Sequence, residues 1–337
     1  MSLWVLQNVS VQGSPRARLS DVTLTIQPGV TAVLGESGAG KTTLLNLLVG
    51  FEKAGRGTVQ EELGEEPLSM YWSPSDGGLW PHLSVREHLL AVMPLKDGRG
   101  CEGASAAGDV GELLDSFALG DLAEAKPARL SMGERSRLSV ARALASGAKA
   151  LVMDEPLANV DSARLPQFWN AIREYLQRTG GSLVFATHSA DTVLAEASHV
   201  ICLREGRVIY AGDVQTLYRN PPTLDAARCL GEVNWLTPVE ANLWLPPTQD
   251  SGPRTQDSAL RPEHLSLDID SAAPLVVQSS RFRGMLTDVT LQHSPSNSTR
   301  TFVCRSPAGD QGAAKAGDRG RRGRPAEDQR VDALCDR

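Results

Sequence analysis

The stretch Gly35-Glu36-Ser37-Gly38-Ala39-Gly40-Lys41-Thr42 matches the pattern G-x-x-x-x-G-K-[ST] at every fixed position, and it dictates a strand, a loop and a helix in that order. The apolar run Val30 to Leu34 leads into it, and Leu44, Leu45, Leu47, Leu48 and Val49 follow. A glycine-rich turn can direct several backbone N–H groups inward with no side chain in the way, which makes a nest for anions. The helix starting near Lys41 adds unpaired N–H groups and the positive end of its dipole. Lys41 then reaches the β- and γ-phosphates of a nucleotide, and the Thr42 hydroxyl, with Thr43 beside it, stands where Mg²⁺ is ligated.

A second constellation completes the first. Ala150 to Met153 is short and wholly apolar, the pattern of a parallel strand buried on both faces. Asp154 and Glu155 follow it, so one carboxylate can serve Mg²⁺ while the next polarises an attacking water. His188 follows the apolar run Leu183 to Thr187 and falls on the same sheet edge, where a neutral imidazole can hydrogen-bond a γ-phosphate or the water.

The 337 residues allow one large domain and a smaller one. A net charge of −6 gives no global attraction to nucleic acid or to anionic lipid. Cys101, Cys202, Cys229, Cys304 and Cys335 share no metal-ligand spacing and read as reduced thiols of a cytosolic protein. The first residues lack a basic region followed by an apolar core, and no apolar run approaches a membrane span, so a membrane role must come through a partner.

Along the chain, Leu3 to Val11 and Leu19 to Ile26 read as strands flanking the turn Gly13-Ser14-Pro15, with Trp4 as a packing residue. Residues 52–67 are expected to form a short hairpin and loop. Ser84 with Glu87, and Ser131 with Glu134, have capping-box spacing and open helices. Residues 97–111, rich in Gly, Ala and Ser, read as a surface loop. Leu165 to Leu176 is an amphipathic helix, and Val200–Leu203 with Val208–Ala211 forms a hairpin across Glu205-Gly206. Alternating strands and helices imply an α/β domain with a mainly parallel sheet, ending near residue 230.

Beyond it, residues 231–258 read as a linker. Leu260 to Ile269, Phe282 to Leu291 and Thr301 to Cys304 are strand candidates for a small β domain spanning 259–305, and 306–337 read as a disordered tail carrying the basic cluster Arg319 to Arg324.

Taken together, GESGAGKTT at 35–43, LSMGE at 130–134, LVMDEP at 151–156, Asp161 of LANVD and ATH at 186–188 resemble, in the right order, the ATP-binding subunits of ABC transporters over residues 2–230. The resemblance implies the P-loop NTPase fold of an ABC nucleotide-binding domain with a helical subdomain. It also implies a head-to-tail pair of such domains, usually two copies of one chain, sandwiching two ATP molecules. Ser131 and Gly133 would then approach the γ-phosphate across the pair, Asp154 would serve Mg²⁺, Glu155 would be the general base, His188 the γ-phosphate contact and Asp161 a cross-dimer coupling residue. ATP binding would close the pair and hydrolysis reopen it, moving membrane permease subunits by differential affinity for two states. Leu260-Arg261-Pro262-Glu263-His264-Leu265 is similar to the RPEH element of the OB-like (TOBE) regulatory domains of import ATPases. That favours solute import, with an extracytoplasmic solute-binding protein, no nucleic acid, and a cytoplasmic position against the inner face of the membrane.

Three positions depart from the family pattern. Met132 replaces the first glycine of LSGGQ. Ser75 stands where the family's Mg²⁺-contacting glutamine is expected, and no glutamine occurs between Gln60 and Gln167. No aromatic residue lies near Gln12 or Gly13, where the family stacks an adenine. Two alternatives stay open: a nucleotide-dependent regulatory module with little hydrolysis, and a soluble ABC ATPase that acts on nucleic acid or ribosomes.

Overall fold

The chain enters as an antiparallel pair, β1 (Trp4–Val11) and β2 (Leu19–Ile26), continues into β3 (Val30–Leu34), and passes through the glycine loop into helix α1 (Lys41–Leu48). Alternate residues of β1 and β2, Trp4, Leu6, Leu24 and Ile26 among them, are buried together with Leu44, Leu45, Leu47 and Leu48 of α1 and with Val152 and Val184. This is the period of two that half-buried strands require. The Trp4 indole donates to the Leu48 carbonyl at 2.9 Å, so it is a packing residue as expected. Gly50, at φ 69, ends α1 in the left-handed conformation that glycine adopts at low cost.

The computed structural model describes residues 2–64, 69–94, 104–245, 254–269, 275–306 and 331–335. Its contacts divide into two units, Met1–Leu217 and Tyr218–Arg337.

In the first unit, β4 (Arg56–Glu61) pairs with β1 and gives the order β2-β1-β4. The hairpin expected over 52–67 is therefore not formed among its described residues, 52–64, where the strand pairs with β1 instead; 65–67 lie outside the described residues. Arg56–Glu61 has only Val59 to bury, and a free hairpin would have had no apolar face.

The main sheet runs β5 (Met70–Ser73), β6 (Ala150–Asp154), β7 (Ser182–Thr187), β3, β8 (His199–Arg204) and β9 (Arg207–Asp213). The first five are parallel, and β9 returns antiparallel through Glu205 and Gly206, both at positive φ as a two-residue hairpin turn demands. Every residue of β6 and β7 is buried.

Helices α2 (Val85–Leu90) and α4 (Met132–Ala145) open on the expected capping boxes, Ser84 with Glu87 and Ser131 with Glu134. Between them lies α3 (Ala104–Ser116), which corrects the loop reading of 97–111 from residue 104 onward. Alanine is the strongest helix former, and Val110, Leu114 and Phe117 bury one helical face, a signal that glycine and serine content obscured. Residues 95–103, including Cys101, lie outside the described residues. Helices α5 (Leu165–Thr179), α6 (Ala190–Glu196) and α7 (Val214–Arg219) complete this part of the chain.

The second unit contains α8 (Leu224–Cys229), β10 (Asn234–Leu236), α9 (Pro238–Trp244), β11 (Ser258–Leu260), β12 (Leu265–Ile269), β13 (Leu275–Phe282), β14 (Leu286–His293), β15 (Ser298–Arg305) and β16 (Val331–Cys335). The expected linker is thus partly structured. Thr237 and Glu240 form a capping box, and Ala241, Trp244 and Leu245 join Leu275, Leu291 and Phe302 in one apolar core. The strand expected over Phe282–Leu291 instead breaks at Gly284, φ 85, where β13 turns into β14. Within the stretch read as a tail, β16 pairs with β12, while the Arg319 to Arg324 cluster lies outside the described residues.

Arg261 of the RPEH stretch is buried in this unit. It donates to the carbonyls of Tyr218, Ala227, Gly231 and Glu232 at 3.1–3.2 Å and lies 4.3 Å from the Tyr218 ring centre. It ties the end of α8 to the β domain, so α8 falls in the second unit although the first was expected to run to residue 230.

Candidate functional site

The register of the parallel strands builds the site. Leu34 lies opposite Thr187, and Asp154 opposite Ala186, so Gly35, Glu155 and His188 leave β3, β6 and β7 at one edge of the sheet. That is the edge at which ligands bind in open α/β sheets.

The glycine loop is tightly seated. A Cβ at Gly35 would stand 2.5 Å from the Leu203 carbonyl oxygen, and one at Gly40 would stand 2.6 Å from the Arg18 carbonyl oxygen. Gly40, at φ 105, precedes α1 with no side-chain cap, so the first N–H groups of the helix face the loop unpaired. Glu36 and Ala39 close the turn through Ala39 N–H donating to the Glu36 carbonyl at 3.1 Å, with Ser37 and Gly38 at its tip. The Lys41 ammonium donates to the Gly35 and Glu36 carbonyls at 2.8 and 3.2 Å and so lies across the cradle. Thr43 is buried behind it.

Thr42 and Asp154 meet. The Thr42 hydroxyl donates to Asp154 Oδ2 at 2.7 Å. Burial pushes the Asp154 carboxyl above its ordinary range; the Thr42 hydrogen bond opposes this, Glu155 adds to it, and Lys41 opposes it. A buried carboxylate beside a hydroxyl is an oxygen donor set of the kind that hard cations take, and a cation would offset the burial that disfavours the charge. Glu155, at φ 51, turns out of the strand, and its two oxygens accept from His188 Nδ1–H at 3.0 and 3.1 Å. The expected base and the expected phosphate contact are therefore neighbours.

Asp154 and Glu155 share a cleft of about 150 Å³ with Ser75, Asp76, Met132 and Asn159. Ser131 and Gly133 stand at the N-terminus of α4, where the Ser131 hydroxyl accepts from Glu134 N–H. Gly133 is pressed on the Asn159 carbonyl oxygen, 2.7 Å from where a Cβ would sit. Met132 is 65% exposed where it lines this cleft. Asp161 accepts from Ala163 N–H at 3.2 Å within its own turn.

Two buried residues escaped the sequence reading. Arg142, on α4, donates to the carbonyls of Gly77 and Gly78 at 2.7 and 2.8 Å and lies 4.8 Å from the Trp80 ring centre, clamping the segment that follows Ser75. His88 accepts from Trp80 N–H at 2.9 Å through Nε2, and its Nδ1–H donates to the Ser84 carbonyl at 2.7 Å. A charged residue inside the apolar run Val140 to Ala145 was the available signal for Arg142. His88 gave none, since its partners come from a turn that carries no periodicity.

The ABC transporter family model matches residues 19–158. The chain is 32% identical over 239 residues to the Fe(3+) ions import ATP-binding protein FbpC of Agrobacterium fabrum, covering 68% of this chain and 66% of that protein. It is 37% identical over 224 residues to the molybdenum import ATP-binding protein ModC of Methylococcus capsulatus, covering 63% and 60%. The chain thus spans slightly under two thirds of the length of these relatives. A solved ATP binding subunit of an ABC transporter superposes with a TM-score of 0.56 at 22% identity, over 65% of this chain and 92% of that one. Glycine loop, paired carboxylates and histidine on one sheet edge agree with these likenesses: the chain carries the ATP-binding domain of the ABC transporter family.

Proposed function

We propose that this chain binds ATP with Mg²⁺ and hydrolyses it to energise solute import through a separate integral-membrane permease. The observation that carries the reading is the convergence of Lys41, Thr42, Asp154, Glu155 and His188 on one sheet edge. Loop N–H groups and the α1 N-terminus hold the phosphates, and Lys41 turns from the Gly35 and Glu36 carbonyls to the β- and γ-oxygens. Bound Mg²⁺, held by Thr42 and Asp154 directly or through water, would supply charge against the phosphates. Glu155 takes the proton of the attacking water as its oxygen bonds to the γ-phosphorus and the bond from the γ-phosphorus to the β-phosphate oxygen breaks, ADP leaving with that electron pair, while His188 orients Glu155 through its Nδ1–H.

The reading includes a second copy of the chain, with Ser131 and Gly133 completing the partner's site and Asp161 linking the two. It places the assembly at the cytoplasmic face of the membrane, with an extracytoplasmic solute-binding protein delivering the solute. Among the described residues no helix is long and apolar enough to cross a membrane, in keeping with a separate permease. Both relatives named above are import ATP-binding proteins, and the RPEH stretch in a small β domain supports a TOBE-type regulatory role for the second unit.

Calorimetric titration with MgATP tests the binding half: the wild-type chain binds and Lys41→Ala does not, whereas equal affinity in both contradicts the cradle. Ser75 and Met132 favour a second reading, a regulatory module with weak hydrolysis. A steady-state ATPase rate at background, with ATP binding intact, selects it.

A further inference from the structure

The segment between β5 and α2 lines the carboxylate cleft and is pinned at both ends. Residues 73–77 line the cleft together with Asp154 and Glu155. At the start of the segment the Ser73 and Ser139 hydroxyls meet at 2.6 Å, and Arg142 holds the Gly77 and Gly78 carbonyls from α4. At its far end Trp80 is held by His88 of α2, a side chain with no exposed surface.

The partners of that imidazole fix its protonation state. A backbone N–H can only donate and a carbonyl can only accept. Nε2, 2.9 Å from the Trp80 nitrogen, is therefore bare, and Nδ1, 2.7 Å from the Ser84 oxygen, carries the hydrogen. A second proton has to go on Nε2, where it points at a donor. Trp80 also stacks on the imidazole with ring centres 5.5 Å apart, and the Arg142 guanidinium lies 4.8 Å from the Trp80 ring centre. Charge on His88 would join a second cation at the same indole.

Burial lowers the proton affinity of His88; the bond to the Ser84 carbonyl opposes this, Arg142 of α4 and His82 of the preceding turn add to it, and Glu87 of α2 opposes it. Glu87 is itself engaged by the Ser84 N–H and feels Lys126. Residues 123 and 125 accept from the first N–H groups of α2, and Glu124 between them pairs with Arg86. Helix α3, which also packs on α2, buries Val110 and Leu114 and leaves Glu112 and Asp115 exposed.

We propose that His88 is a positioning residue that holds residues 74–80 at the carboxylate cleft only while its imidazole is neutral, so that mild acid switches hydrolysis off through His88 and not through the nucleotide cradle. The inference rests on the hydrolytic reading above. Protonation of Nε2 breaks the Trp80 contact, frees the far end of the segment and disturbs the wall opposite Asp154 and Glu155. The folded value lies below the ordinary one of about 6.5, so the loss falls in the mildly acidic range.

The test compares the full wild-type chain with His88→Gln from pH 7 down to pH 5.5, by steady-state phosphate release and by calorimetric titration with MgATP. The glutamine amide oxygen can accept from the Trp80 N–H and does not titrate. Both proteins share Glu155 and His188, so the ratio of their kcat values cancels titration in the cleft itself. That ratio, wild type over His88→Gln, is expected to fall at least about threefold over the interval, while the MgATP affinities stay within about twofold of each other. Hydrogen exchange of the wild type alone, corrected for the pH dependence of the chemical step, decides the matter if His88→Gln does not fold: residues 74–80 should lose protection as pH falls while β6 and β7 keep theirs. A flat kcat ratio, or unchanged protection of 74–80, overturns the proposal and leaves the hydrolytic reading standing. So does a wild-type rate that falls together with its MgATP affinity, since the cradle would then be the part that responds. Wild type that binds MgATP but releases no phosphate at pH 7 removes the hydrolytic reading, and the control on it as well.

Discussion

Single atoms decide most at the glycine loop. Gly38 and Gly40 both have positive φ, yet a Cβ at Gly38 meets nothing within 4 Å while one at Gly40 meets the Arg18 carbonyl oxygen at 2.6 Å. Gly38→Ala therefore carries only the left-handed backbone term, about 1–2 kcal/mol. Gly40→Ala adds a clash with backbone that cannot rotate away and is expected to lose about 1–3 kcal/mol more. Chemical denaturation of the two variants separates these effects, and equal losses would contradict the close approach. At this scale the placement was legible: Lys41, Thr42, Asp154, Glu155 and His188 come to one sheet edge because they follow the loop or the strands that end there. The contact of the Arg18 carbonyl with Gly40 and Gly206 was not legible, since those residues are distant from it in sequence.

Elements set the second group of expectations, beginning with the segment before α2. Burial holds the His88 imidazole below its ordinary range, opposed by its hydrogen bond to the Ser84 carbonyl; Arg142 and His82 lower it further and Glu87 raises it. The folded state thus binds a proton less readily than the unfolded chain. Its contribution to stability is present above the unfolded value of about 6.5 and is lost as pH falls through the depressed folded value. A protonated Nε2 would also face the Trp80 N–H that it now accepts from. Thermal midpoints of the wild type should fall from pH 7 to pH 5 more steeply than those of His88→Gln, and parallel curves would contradict the assignment. In the second unit, Arg261→Ala removes a donor from the carbonyls of Tyr218, Ala227, Gly231 and Glu232 and is expected to lose about 1–3 kcal/mol. Hydrogen exchange at the end of α8 should accelerate selectively; unchanged protection there would show that Arg261 is not the clasp. The elements legible in sequence were those with a strong period or a cap: β1, β2, α4, α5 and the buried strands β6 and β7. Helix α3 was hidden by Gly and Ser content, and α9 by prolines, one of which, Pro238, sits at a helix start where it is well tolerated.

For the whole molecule, the account is that binding and hydrolysis drive association and release of two copies. Glu155→Gln with ATP should elute as a dimer in size-exclusion chromatography with light scattering, and Lys41→Ala as a monomer. A monomeric Glu155→Gln at saturating ATP would contradict the paired site. That the chain divides into two units was legible from the change in composition near residue 220, but the boundary was not, because Arg261 recruits α8 across more than thirty residues of sequence. The central claim is that Glu155 is the base at a cradle gripping ATP, and steady-state phosphate release from Glu155→Gln at saturating MgATP tests it most directly. The account predicts a rate at least about 100-fold below wild type with ATP affinity retained; turnover at the wild-type rate would contradict it.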